Sequence, residues 1–147
     1  MHNCLFLLAA EGSSIDQNSH NLSIFNIIEE VQSQGFPLIM QKIALVALFS
    51  RDSGDADTIK VALRVRLNDT LAFENTDLAV NYQGAPRTRL SITLQGLVVK
   101  GPGNLVFELT VGRQITKHSV KVSGMVGAAA TRQPFLTDCG GYANYLL

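Results

Sequence analysis

The chain has no tryptophan, only two cysteines, four prolines and three histidines in 147 residues. Cys4 and Cys139 lie near opposite ends, so they form neither a disulfide framework nor a thiolate zinc spacing. They read as ordinary thiols in a reducing compartment, with a single Cys4–Cys139 bridge between terminal strands as the alternative. Among His2, His20 and His118 no pair has metal-ligand spacing. His2 and Cys4 are two apart, but two ligands are too few for a structural zinc site. His20 in a turn and His118 on an edge strand are expected to face solvent.

Charge of one sign is also missing. The 12 basic and 12 acidic residues cancel. A balanced chain lacks the concentrated basic field that nucleic acids or anionic membrane surfaces require, so neither is expected as a partner. Weak net repulsion leaves self-association open. No segment approaches the ~18 apolar residues of a membrane span. The apolar run Cys4–Ala10 is short and no Lys or Arg precedes it, so it reads as a strand and not as a secretory signal. A cytoplasmic protein is expected.

What the chain has in quantity is alternation. In Ile59-Lys60-Val61-Ala62-Leu63-Arg64-Val65-Arg66-Leu67 every odd position is apolar, and the even positions are Lys, Ala, Arg and Arg. Period two over such a length fits a strand with one dry and one wet face. It predicts Ile59, Val61, Leu63, Val65 and Leu67 buried, and Lys60, Arg64 and Arg66 exposed. Further strands are expected at Cys4–Ala10, Leu22–Val31, Leu38–Phe49, Leu90–Leu94, Leu105–Val111 and Gln114–Val122, with a short one around Leu78–Tyr82. Leu38–Phe49 is apolar enough to be buried on both faces for part of its length. Turns are expected at Glu11–Asn21, Gln32–Pro37, Asn68-Asp69, Gly84–Pro86, Gly101–Asn104 and Gly112-Arg113, with a hairpin loop at Arg51–Asp57. The phase of the last strand slips between Ile115 and Val120, which suggests a bulge. About eight short strands at 8–12-residue spacing indicate an all-β chain: a β-sandwich of mostly antiparallel strands, residues 1–123.

From Gly124 the composition changes. A Gly/Ala-rich leader is followed by Phe135, Leu136, Tyr142, Tyr145, Leu146 and Leu147. Residues 124–147 read as an apolar C-terminal tail that docks on its own sandwich or on a neighbouring subunit, and those six residues are its candidate interaction residues.

Asn21-Leu22-Ser23-Ile24-Phe25-Asn26-Ile27-Ile28-Glu29-Glu30-Val31, followed by Phe36-Pro37, resembles the opening of an uncharacterised family of small bacterial proteins. Gly101-Pro102-Gly103-Asn104-Leu105-Val106-Phe107-Glu108-Leu109 resembles a later element of the same family. Leu105 stands where an aromatic is usual, and His20-Asn21 where many members have Gly-Lys. The resemblance spans Leu5 to Val122 and leaves out the tail. It implies a compact all-β domain of unknown function in bacteria or archaea, and supplies no site residues.

Chemistry-bearing patterns are sparse. Asp52, Asp55 and Asp57 share one loop and could offer oxygen ligands to calcium, although Gly54 comes too early and the distal Glu of an EF-hand is absent. Glu29 and Glu30 are neighbours on a strand, so they point to opposite faces and cannot work as a carboxylate pair. No Gly-x-Ser-x-Gly elbow or catalytic-cysteine signature occurs. Lys60, Arg64, Arg66, Arg87 and Arg89 could form a basic face, but a wet strand face is normally charged, and edge cations discourage aggregation. The reading is a non-catalytic interaction or self-assembly module without a cofactor, a homo-oligomer through its tail. A small-ligand or calcium-binding sandwich using the 51–57 loop is the alternative, and an enzyme of unknown type comes third.

Overall fold

The structure, a computed structural model, describes residues 1–125. They form nine strands and no helix: β1 Asn3–Ile15, β2 Leu22–Ile27, β3 Glu30–Ser33, β4 Leu38–Ser50, β5 Thr58–Leu67, β6 Thr70–Asn81, β7 Arg87–Val99, β8 Gly103–Val111 and β9 Gln114–Gly124. Two sheets pack face to face. One has the order β2-β1-β4-β7 and the other β3-β9-β8-β5-β6. All pairings are antiparallel except β3 with β9. The all-β sandwich expected from alternation is therefore present.

The core lies between the sheets. Val61, Leu63 and Val65 of β5 and Leu105, Phe107, Leu109 and Val111 of β8 are buried in the phase that the alternation predicts. Facing them are Ile43, Leu45, Ala47 and Phe49 of β4 and Leu7 and Ala9 of β1. Ile59 and Leu67, at the strand ends, are only half-buried. Arg64 and Arg66 are half-buried too, where exposure was expected. Cross-strand acids hold them against the sheet: Arg64 Nε lies 2.8 Å from Glu74 and Arg66 Nε 2.8 Å from Glu108.

The structure corrects four local expectations. The stretch Leu22–Val31 is two strands in different sheets. Asn26 adopts a φ of 54°, a left-handed conformation that Asn tolerates, and the β2 ladder stops beyond it. Ile28 is buried, its N–H donating to Ala9 O, and the carbonyl of Glu29 accepts from Lys121 N as the chain joins the other sheet. Arg51–Asp57 is not a hairpin loop; it carries the chain from β4 in one sheet to β5 in the other. Thr70–Asn81 is a full strand where only its end was expected. Two register shifts against β5 break its period, which hides it from alternation. β9 has no bulge, since its register with β8 runs unbroken from Val111↔Gln114 to Gly103↔Val122. Polar residues take the inward positions of its first half, before Val120 and Val122, and Ile115 is turned out to solvent. The Gln114 amide accepts from Cys4 N at 2.9 Å and donates to Cys4 O at 3.0 Å. His118 Nε2 lies 2.7 Å from Ile28 O and so carries the proton. These bonds satisfy backbone groups that no neighbouring strand reaches, which offsets the cost of placing polar side chains inward.

The first hairpin has an unusual course. β1 pairs with β4 through Asn3–Ala10 and with β2 through Ala10–Ile15. Phe6, Leu48 and Arg89 form one row across the sheet, yet Arg89 Nη2 donates to the carbonyl of His20, at the hairpin tip. A straight β1 would carry that tip about 30 Å past this row, at about 3.3 Å per residue. The arm therefore turns back across the outer face of the four-stranded sheet. Ala10, Ala44 and Val46 point to that face and are buried at 0%, 4% and 0% exposure, apart from the inter-sheet core. This covering explains why β4 is apolar on both sides.

Candidate functional site

β6 and β7 are the outermost strands of their two sheets, on the same side of the sandwich. The link between them, at Tyr82–Pro86, closes one end of this seam. Tyr82 is buried there, its hydroxyl donating to Ser50 O at 3.1 Å, with the Arg51 guanidinium 5.0 Å from its ring centre. Arg51 also donates to Ala85 O at 3.0 Å and pairs with Asp57 at 2.9 Å.

Toward the other end the strands part, leaving a cleft of about 800 Å³. Its apolar floor is made by Leu67, Phe73, Ile92, Leu94 and Leu97, and its polar rim by Asn68, Thr70, Asn75, Thr93 and Gln95. Gly96 shapes one wall. Its φ of 72° suits a residue without Cβ and lets β7 skip a position, so that Leu94 on one side and Leu97 on the other both face inward. The far end is built around Gly103. A Cβ there would lie 2.0 Å from the Asn68 side chain, which donates to Pro102 O and accepts from Asn104 N. Along this cleft neither β6 nor β7 has a further strand beside it among the described residues. Among the described residues its lining holds no His, Cys, Asp or Glu, and Lys100 is the one ionisable residue there. Apolar floor, amide and hydroxyl rim and unpaired strand edges are the equipment of a binding groove; acid–base and metal chemistry would need other residues.

The three loop carboxylates go to separate uses. The N-terminal ammonium lies between Asp52, 2.6 Å away, and Asp55. These bonds hold the Asp55 carboxyl below the usual carboxylate range and raise the amine above its ordinary value. Asp57 pairs with Arg51 and accepts from Gly84 N at 2.8 Å. Among the described residues no group of three or more His, Cys, Asp or Glu converges as metal ligands would.

The remaining candidates are scattered. His2 is half-buried against Tyr82, with Nδ1 3.2 Å from its hydroxyl oxygen. His118, expected at an edge facing solvent, lies opposite Phe107 of β8, before the Lys121–Gly124 stretch that pairs with β3, and is half-buried beside the Phe107 ring. Cys4 is a buried thiol with no disulfide partner among the described residues, and burial raises its pKa. The suggested basic face divides in two. Lys60, Arg64 and Arg66 lie on the five-stranded sheet and are paired with Asp77, Glu74 and Glu108. Arg87 and Arg89 lie on the four-stranded sheet. Phe135, Leu136, Tyr142, Tyr145, Leu146 and Leu147 fall outside the described residues, as does Cys139. Sequence reading did not single out the cleft residues. The one available signal was Gly96 between Leu94 and Leu97, where an apolar phase changes sides.

No helix among the described residues is long and apolar enough to cross a membrane. Residues 5–122 match the model of a family described as a family of unknown function (DUF6941). A comparison with curated proteins finds no match.

Proposed function

We propose that this chain, which belongs to the DUF6941 family, is a non-catalytic interaction module that self-assembles through its C-terminal tail. The observation that carries this reading is the β6–β7 cleft. It combines an apolar floor with strand edges that offer free N–H and C=O groups, which suits an extended apolar segment adding as a strand. The tail supplies such a segment in Phe135, Leu136, Tyr142, Tyr145, Leu146 and Leu147. Burying each of these side chains is worth about 1.5–3 kcal/mol before the entropy of ordering the segment is subtracted. The core between the sheets is already filled by the strands themselves, so an acceptor on a second copy is favoured. The scarcity of cysteine and the resemblance to small bacterial proteins fit a reducing bacterial cytoplasm.

The test is light scattering on the full chain and on a chain lacking residues 132–147, over a range of concentrations. An oligomer that falls to monomer mass on deletion, with the β-sheet circular dichroism kept, is the expected result. A full chain that stays monomeric at high concentration would overturn the assembly reading.

A further inference from the structure

Where the hairpin arm lies on the four-stranded sheet, its contact is not closed throughout. Near the Phe6–Leu48–Arg89 row a slot of about 670 Å³ remains. Ile15, Leu22 and Ile24 of the arm form its roof and Phe6 and Leu48 its floor, while Arg87, Thr88 and Arg89 stand along the β7 side. The volume is in the range of small-molecule sites. Arg87 and Arg89 are two residues apart on one strand, so both point to this outer face. Neither has a carboxylate partner among the described residues, and Arg89 is bonded only to a backbone carbonyl. The outer face of the other sheet is organised differently, since Lys60, Arg64 and Arg66 each meet an acid there. Two neighbouring guanidiniums without an acid repel each other, and an anion placed between them would relieve that repulsion.

We propose that this slot binds a single-chain amphipathic anion, a fatty-acid-like carboxylate. Its alkyl chain lies between Ile15, Leu22 and Ile24 above and Phe6 and Leu48 below. Its head group meets the guanidiniums of Arg87 and Arg89. The apolar walls select for chain length and the arginines for charge, so the two ends of the ligand are recognised separately. None of the residues named in this site belongs to the tail.

Titration calorimetry of the full chain with decanoate, butyrate and decanol separates these contributions. Decanoate should bind, and butyrate and decanol should each bind at least about tenfold more weakly. Arg87 is exposed and makes no hydrogen bond to the arm, so Arg87→Gln should melt like the parent. It should weaken decanoate about tenfold and leave decanol unchanged, while Arg87→Lys should recover part of the loss. No binding of decanoate to the parent chain would overturn the proposal. So would equal affinity for decanol, or an Arg87→Gln chain with parental affinity. Sedimentation of the full chain with phosphatidylglycerol vesicles, without decanoate binding, would assign the arginines to a membrane surface and overturn it as well.

Discussion

The Arg89 guanidinium donates to the His20 carbonyl at 2.8 Å, although 69 positions separate the two residues. This bond joins the tip of the first hairpin to the edge of the sheet that the hairpin crosses. It turns an extension of β1 into a cover for Ala10, Ala44 and Val46.

Arg89→Ala should therefore loosen the arm without unfolding the sandwich. Both groups are exposed, so the global loss should be about 1 kcal/mol or less. Amide exchange should speed up in residues 11–27 and stay unchanged in β5 and β8. Uniform acceleration would show that the arm is part of the global folding unit.

Leu63 is 1% exposed and Ile115 is 55% exposed, although both are aliphatic residues in strands. Leu63→Ala should cost about 2–5 kcal/mol by urea denaturation, and Ile115→Ala within about 0.5 kcal/mol. Comparable losses would show that β9 carries Ile115 inward, in the bulged phase.

The Asp52–Asp57 loop should behave as an ion-paired connection. Adding calcium or a chelator should leave the melting temperature unmoved, because a ligand that binds the native state alone must raise it. The pH dependence has two sides. Asp55 has a lowered native pKa, so its contribution is present above the ordinary carboxylate range and fades as pH falls through the lowered value. The amine has a raised native pKa, so its contribution is present below its ordinary value and fades as pH rises through the raised one. Following both groups by NMR in the parent and in Asp55→Asn should show the amine pKa fall in the variant. An unchanged amine would place the ammonium away from Asp55.

Cys4 should resist alkylation in the native state. Its thiol is buried, donates to Phe6 O at 3.3 Å, and has its pKa raised by burial, so little thiolate is available at neutral pH. In a Cys139→Ser chain, iodoacetamide should label Cys4 only at the rate of opening, and quickly in denaturant. Rapid native labelling would contradict the packing of β1 against β9.

Much of the fold was legible because a half-buried strand writes its burial into every second residue. Ile59–Leu67 and Leu105–Val111 follow that rule, and Leu38–Phe49 shows its second buried face by being apolar at successive positions. Legibility failed where hydrogen bonds or bulges override the period. Thr70–Asn81 loses it to two register shifts, and the first half of β9 gives inward positions to Gln114 and His118. The sequence by itself determined that the chain makes strands, and which faces of the regular ones are dry, because side-chain alternation is a local property of extended backbone. Only the tertiary structure decided which strands share a sheet, that Arg51–Asp57 crosses between sheets, and that the first hairpin doubles back over its own sheet. It also decided that the cleft lies between two strand edges and that Arg87 and Arg89 meet no acid among the described residues. Each of these depends on residues distant in sequence meeting in space, and such meetings leave no period in the chain.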